Sequence, residues 1–189
     1  MTDQTMLKIM AEDERLEFRR AYPAKLPSYY HVLAGADNLQ FIFSIPTLVP
    51  AYEHVLVVPL SASVWIVDTV CSLLQPSAIG GVPDDVFAIN LDRDDAPLRL
   101  RRSMQIGGPG EQGFTLFHRG MREAHGVGFL STAWSDRLLF DDGLFLCLVR
   151  IANEWAKAHG QPGPRPAVGT IRPNWMGRSP AETPPPSED

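Results

Sequence analysis

The sequence predicts a single domain of the α/β (α+β) class. Short apolar or alternating runs, which are typical of strands, recur at 40–45, 55–60, 86–91, 98–106 and 114–117. Two longer segments, 64–74 and 144–155, have the length and spacing of helices. Of the 189 residues, 44% are hydrophobic and 21% are charged, which is ordinary for a globular protein that buries one sizeable core.

Composition predicts three segments along the chain. These are an N-terminal helix with its connection over 1–28, the α/β domain over 29–160 and a proline-rich C-terminal tail over 161–189. The N-terminal helix is predicted over 6–20, where Glu12 and Arg15 have the i,i+3 spacing that brings opposite charges together. The tail has the composition of a segment without a core of its own.

Within the domain, the strands are expected in the following order. Residues 29–50 hold two strands joined by a turn at 35–38. The apolar run 55–60 is predicted to be a strand buried on both faces, and 127–134 is expected to be extended. In 98–106, apolar and charged side chains alternate, which assigns them to opposite sides of the strand. The apolar set is Leu98, Leu100 and Met104, and the charged set is Arg99 and Arg101.

Two helices are predicted within the domain. The first covers 64–74 with Ser61 or Ser63 as its cap, although many of its residues are β-branched. The second is expected to follow Asp141 or Asp142 as its N-cap. Its apolar residues have i,i+3,i+4,i+7 spacing and are Leu144, Phe145, Leu148, Ile151, Ala152 and Trp155. The sequence has no recognisable internal repeat.

Charge and cysteine content narrow the class of protein. The net charge of -5 argues against a protein that coats duplex DNA through bulk electrostatics, although it allows a local basic groove. Cys71 and Cys147 lie in apolar runs, which predicts buried, reduced side chains. The N-terminus lacks the apolar core of a signal peptide, and no run reaches the roughly 18 to 20 apolar residues that a membrane span needs. These features predict a cytoplasmic protein.

A glycine-rich loop at 107–113 is the first candidate for binding chemistry. Glycine lets backbone N–H groups approach an anion closely, so Gly107, Gly108 and Gly110 are candidates for holding the phosphates of a nucleotide. The Lys-Ser/Thr pair that completes a P-loop is missing. A flexible hairpin connection is the alternative interpretation.

The segment 98–122 is the second candidate, because it carries a local excess of positive charge. Its single acid is Glu111, and its five arginines are Arg99, Arg101, Arg102, Arg119 and Arg122. Arginine suits bidentate phosphate contacts. If Gly120 begins a helix, its N–H groups add to an anion site. A solvated basic face is the alternative.

Three side chains are candidate general acids or bases, namely His118, Glu123 and His125. They lack the HExxH spacing of a zinc site. The acidic cluster at 92–95 can help to hold a hard cation such as Mg²⁺, with solvated loop acids as the alternative. The metal itself is left open.

Aromatic residues divide into expected core and possible base-stacking side chains. Phe114, Phe117 and Phe129 are predicted to lie in the core. Trp65 or Trp134 could stack on a nucleic-acid base if exposed.

Residues 55–134 resemble the ParB/sulfiredoxin fold. The matching pieces are Val58-Pro59-Leu60, the helix 68–75, the strand 86–90, and the segments 114–117 and 120–124. The resemblance implies a mixed sheet with flanking helices and a nucleotide-binding segment around Gly120 and Arg122. The partition-protein motif Asn-Pro-x-Gln-x-Arg is absent, and Met121 stands near the place of the sulfiredoxin cysteine. Chromosome partition and peroxiredoxin repair are therefore not expected.

Within that fold, the layout is similar to plasmid-encoded fertility-inhibition factors. The resemblance implies a block of DNA export by a type IV secretion system, with ATPase and DNase activity. It implies ATP or another nucleotide with Mg²⁺ as cofactors, and transferred single-stranded DNA and secretion-system components as partners. Arg119 and Arg122 would clamp phosphates, while His118, Glu123 or His125 would activate water. The protein would act in the cytoplasm or at the periphery of the inner membrane.

Two non-catalytic alternatives remain open at this point. One is an inhibitor that binds a secretion-system component through the apolar region 41–50 or through the proline-rich tail. The other is a DNA-binding protein that does not cleave its ligand, which would show a strong salt dependence and no turnover.

Overall fold

Two four-stranded antiparallel sheets and two α-helices make up the described part of the chain. The computed structural model describes residues 15–22, 28–45, 52–75, 77–79, 81–106, 110–122 and 128–164. This content confirms the predicted α+β class.

The first sheet is a meander in the order β1-β2-β3-β4. Its strands are β1 (Arg15–Tyr22), β2 (Ser28–Ala34), β3 (Asn38–Ile45) and β4 (Tyr52–Pro59). The turn predicted at 35–38 joins β2 to β3, where the Gly35 N–H donates to the Asn38 carbonyl. Helix α1 (Ala62–Leu74) follows β4 and leads through a 3₁₀ turn (Ser77–Ile79) to the second sheet.

The second sheet is also a meander, in the order β5-β6-β7-β8. Its strands are β5 (Ala88–Leu91), β6 (Leu98–Ser103), β7 (Gly113–Arg122) and β8 (Phe129–Ser135). A π-helical turn (Arg137–Asp141) then leads to α2 (Leu144–Ala158). β6 ends earlier than the predicted strand 98–106, which leaves Met104 outside it and 59% exposed.

Both halves of the described chain therefore have the same order of elements. Four antiparallel strands are followed by one helix, and α1 packs against α2. This repeated topology has no counterpart in a recognisable sequence repeat. Every pairing between the described strands is antiparallel, so the mixed sheet that the resemblance implied is not found among them.

The N-terminal helix predicted over 6–20 is wrong where the structure describes it, because residues 15–22 form β1. The sequence from Arg15 to Arg19 alternates charged and apolar residues, and this period of two suits a strand. The i,i+3 charge pairs that favoured a helix contribute only about 0.2–0.5 kcal/mol each. Pairing with β2 outweighs them and places β1 in the domain's first sheet. The segment bounds 1–28, 29–160 and 161–189 stay predictions.

Helix α1 confirms the helix predicted over 64–74. It forms despite its β-branched residues because Ile66, Val67 and Val70 share one face and are fully buried. Ser61 occupies the N-cap position, but its side chain makes no capping hydrogen bond. β4, in contrast, is not buried on both faces as predicted, since Val57 is 39% exposed.

Helix α2 confirms the second predicted helix but not its cap. The N-cap is Gly143, whose φ of 90° is left-handed and therefore suits glycine. Asp141 belongs to the π-helical turn, and Asp142 forms an ion pair of 3.0 Å with Arg20. The predicted apolar stripe is buried at Leu144, Phe145, Leu148, Ile151 and Ala152.

One hydrophobic core extends across both sheets and both helices. At the junction of the sheets, the Trp134 ring packs on Phe41 with 5.1 Å between centroids. The Tyr30 hydroxyl is hydrogen-bonded to Thr132 Oγ1 at 3.0 Å and accepts the indole N–H of Trp134. His54 Nε2 donates to the Ser131 carbonyl on the edge of β8. The two halves are thus joined by packing and side-chain bonds.

Cys71 and Cys147 are buried and are not joined in a disulfide, as the sequence predicted. Among the described residues, neither α-helix combines the length and the apolar character that crossing a bilayer requires.

Candidate nucleic-acid interface

The two faces of the second sheet differ in chemistry. The inner face carries Leu98, Leu100 and Leu116, all fully buried, and α1 contacts it through β5 and β6. The outer face carries exposed arginine and aromatic side chains. This outer set is named the arginine face and consists of Asn90, Arg99, Arg101, Phe117, Arg119, Arg122, Phe129 and Ser131.

Because side chains alternate along a strand, the arginines of the 98–122 segment lie on different faces of the sheet. Arg99 and Arg101 are exposed on the outer face of β6, opposite to Leu98 and Leu100, which confirms the predicted alternation. Arg102 has the opposite parity and faces inward. The positive excess seen in the sequence is therefore mostly concentrated on one surface.

Arg102 has a structural role instead of a phosphate-binding one. Its guanidinium forms a two-point ion pair with Asp136, with Nη2 donating to Asp136 Oδ2 at 2.6 Å. It also donates to Gln112 Oε1 at 2.9 Å and lies over the Phe114 ring, 4.7 Å from its centroid. The side chains of Arg102 and Asp136 are only 9% and 5% exposed.

Two phenylalanine rings on the arginine face are each covered by an arginine. The Arg101 guanidinium carbon lies 5.2 Å from the centroid of Phe117, and that of Arg122 lies 5.6 Å from the centroid of Phe129. The prediction that these rings belong to the core is wrong for Phe129, which is 42% exposed, while Phe117 is half-buried. The odd positions of β7 as far as Arg119, and those of β8, face outward, and this strand parity was the sequence signal for both rings. A register shift between His118 and Arg122 brings Arg122 opposite Phe129 and onto the same face.

The register of β6 and β7 places Arg99 directly opposite Phe117. Asn90, Arg99, Phe117 and Ser131 are directly opposite one another in the four successive strands. Arg99 Nε donates to Asn90 Oδ1 at 2.8 Å. A stacking ring, a cation and two polar side chains therefore form one row across the sheet.

Arg119 is held at the edge of the arginine face by an acid from the predicted cluster at 92–95. Its Nη2 forms an ion pair with Asp92 and donates to the Leu91 carbonyl at 3.4 Å. Within the same cluster, Asp95 pairs with Arg93 at 2.8 Å. Because arginines occupy these carboxylates, and because the described residues contain no group of three or more metal-ligating side chains, they do not fit a Mg²⁺ site.

His118 and Gly120 lie in the middle and end of β7. His118 faces inward and is only 6% exposed, opposite Leu98 and Leu130 in the neighbouring strands. Gly120 does not begin a helix, because the chain continues as a strand to Arg122. The structure therefore separates His118 from Arg119 and Arg122, which lie on the outer face.

The other predicted site residues are placed as follows. Gly110 lies in the loop before β7 with a φ of 80°. Gly107, Gly108, Glu123 and His125 lie outside the described residues. A phosphate cradle of the kind that ATP needs is not formed by the part of the loop and strand that the structure describes.

Three further predictions can be compared with the structure. Trp134 is fully buried, so it cannot stack on a base, whereas Trp65 is half-buried. Phe41 begins the apolar region 41–50 and is fully buried in an inner strand of its sheet. Ile42 and Ser44 are also buried, whereas Phe43 and Ile45 are half-buried, and docking of a partner through 41–50 stays a prediction.

A separate cleft of about 460 Å³ lies between the C-terminal end of α1 and the segment before β5. Leu73, Leu74 and Phe87 contribute to its lining. Of the five arginines in the 98–122 segment, Arg102 also lines this cleft, and its guanidinium is paired with Asp136.

Comparison of the sequence with protein-family models and with curated proteins found no match. The ParB/sulfiredoxin resemblance therefore stays a prediction. The arginine face carries cations that can attract phosphates and rings that can stack on bases.

Proposed function

We propose that the protein binds single-stranded DNA through the arginine face of its second sheet. The observation that carries the proposal is the pair of arginine-covered rings, Phe117 under Arg101 and Phe129 under Arg122, on a sheet face where arginines outnumber acids. Arginine attracts phosphates, and aromatic rings stack on bases whatever their sequence.

The arrangement favours an unpaired strand over a duplex. Phe117 is opposite Ser131, and Phe129 lies two residues before Ser131 in β8, so Phe117 and Phe129 are diagonal neighbours, a relation that places residues about 7–8 Å apart in antiparallel sheets. Two successive nucleotides of an extended strand can reach both rings. In a duplex the bases are already stacked and paired, so their faces are not available to the two rings.

The biological role in this proposal follows the resemblance to fertility-inhibition factors. A protein that holds the transferred strand before it enters a type IV secretion system would block conjugative export without cutting the DNA. Hydrolysis of ATP and cleavage of DNA stay predictions from that resemblance. They would be tested by phosphate release and strand nicking, with Mg²⁺ and with EDTA, in wild type and Arg122→Ala.

Replacing Arg99 and Arg101 together with Ala should weaken binding to a labelled oligonucleotide and reduce its salt dependence. For single strands, each phosphate contact contributes about -0.7 to the slope of log K against log salt concentration. Losing two contacts should make the slope less steep by about 1.4 and weaken binding at 0.1 M salt by roughly 25-fold. Fluorescence anisotropy titrations at salt concentrations from about 50 to about 400 mM measure both the affinity and the salt slope.

The matched control is Arg137→Ala with Lys157→Ala, which removes two exposed charges on the helical side of the molecule. It should leave the slope unchanged. An equal loss in both double variants would mean that net charge, and not the arginine face, governs binding. Duplex DNA and RNA of the same sequence complete the test, and tighter binding to either would replace single-stranded DNA as the ligand.

A further inference from the structure

Arg99 occupies a position in the arginine face that differs from that of the other arginines. Arg101 and Arg122 lie over rings, and Arg119 pairs with a carboxylate. Arg99 is exposed, and its one hydrogen bond within the described part of the chain runs from Nε to Asn90 Oδ1 at 2.8 Å. That bond orients the guanidinium and leaves its two terminal nitrogens as donors.

The row of residues around Arg99 places these donors next to a stacking ring. Arg99 is directly opposite Phe117 in the register of β6 and β7, and such pairs have Cβ atoms about 4.5–5.5 Å apart. A base stacked on Phe117 therefore has one edge above Arg99. Arg101 now covers that ring, but an exposed cation–π contact is weak, so Arg101 can move to a phosphate when the base arrives.

Building on the proposed function, we infer that Arg99 makes the site prefer guanine at the nucleotide stacked on Phe117. Guanine presents two acceptors, O6 and N7, at the spacing that an arginine fork matches. Adenine presents N7 beside an amino donor that an arginine cannot satisfy. In thymine, O4 is accompanied by a methyl group, which leaves one acceptor on that edge. Asn90 is the positioning residue, because it holds the plane of the guanidinium.

The test compares thymidine oligonucleotides that carry one central dG, dA, dC or 7-deaza-dG, or none. The dG oligonucleotide should bind about tenfold more tightly than the unsubstituted one, which is within the range for one bidentate contact. 7-Deaza-dG stacks like guanine but lacks the N7 acceptor, so it should lose most of that advantage. Equal gains from dG and 7-deaza-dG would mean that stacking alone explains the preference, and would overturn the inference.

Three variants distinguish recognition of the guanine base from a general effect of charge. Arg99→Lys keeps the charge but loses the fork, so it should retain the salt slope and lose the preference for dG. Asn90→Ala should reduce the dG preference by a larger factor than it weakens binding to the unsubstituted oligonucleotide. Arg101→Lys is the matched control and should keep the preference. A dG preference that survives Arg99→Lys would overturn the assignment to Arg99.

The two proposals fail in distinguishable ways. If all the oligonucleotides bind equally, with the expected salt dependence, the guanine inference is overturned and single-strand binding stands. If none of the oligonucleotides binds even at about 50 mM salt, where phosphate contacts are strongest in the series, both proposals are overturned.

Discussion

Replacing Asp136 with Ala should lower the free energy of unfolding by about 3–5 kcal/mol, because it leaves the guanidinium of Arg102 buried without its partner charge. Two of the other bonds of Arg102 are to uncharged groups, the Gln112 side chain and the Gly113 carbonyl. Urea denaturation followed by circular dichroism measures the change.

Two comparisons identify the cause of that loss. Arg102→Met with Asp136→Leu removes both charges, and it should be clearly less destabilising than Asp136→Ala because no unpaired charge remains. Asp95→Ala breaks an exposed ion pair with Arg93, in which the side chains are 41% and 54% exposed. It should change stability by no more than about 1 kcal/mol. If Asp136→Ala is as mild as Asp95→Ala, the Arg102 pair is not the buried connection that the structure shows.

Removing the two arginine-covered rings, Phe117 and Phe129, should have the largest effect on DNA binding. A base–aromatic stack is worth about 1–3 kcal/mol, so Phe117→Ala or Phe129→Ala should each weaken binding to single-stranded DNA by roughly 30-fold. The double variant should lose nearly all measurable affinity at 0.15 M salt, roughly physiological ionic strength. Anisotropy titrations measure the affinity, and urea denaturation of the same samples shows whether each variant is folded.

Phe87→Ala is the control for loss of an exposed ring. Phe87 is 57% exposed, but it lies at the cleft beside the end of α1 and not on the arginine face. Its replacement should leave DNA affinity unchanged. Undiminished affinity in a folded Phe117→Ala, Phe129→Ala double variant would refute the stacking surface, even if the arginine variants still altered the salt slope.

Local periodicity accounts for the parts of the fold that the sequence predicted correctly. The apolar stripe of α2 repeats with the period of a helix, and burial of Leu144, Leu148 and Ile151 follows directly from it. In β6, alternation separates Leu98 from Arg99 because successive side chains of a strand point to opposite faces. Both patterns can be recognised within a short window of sequence.

The incorrect predictions share a different cause. Residues 15–20 belong to a segment with charge pairs at helical spacing, yet they form a strand, and the chain at Gly120 is likewise a strand. β1 is a strand because β2 supplies its hydrogen-bond partners. At Arg119, the backbone N–H donates to the Pro97 carbonyl, more than twenty positions away. Weak local preferences yield to such pairing.

The candidate site shows the same division. The excess of arginine between 98 and 122 was visible in the sequence. Its division into one buried structural arginine and a set on the outer face could be only partly predicted. Arg102 is buried because it pairs with Asp136, which lies 34 positions further along the chain. Likewise, Arg119 is neutralised by Asp92, which a loop brings beside it. Pairings of this kind need the folded chain.

The sequence by itself determined the α+β class, the two helices, the buried cysteines and the positive segment, because each depends on composition or on neighbours within a few residues. Only the tertiary structure decided which strands pair, which arginine is buried, and that Phe117 and Phe129 share an open face with the remaining arginines. The physical reason is that strand register and ion pairing join residues far apart in the chain, and no local pattern specifies which distant partner each residue meets.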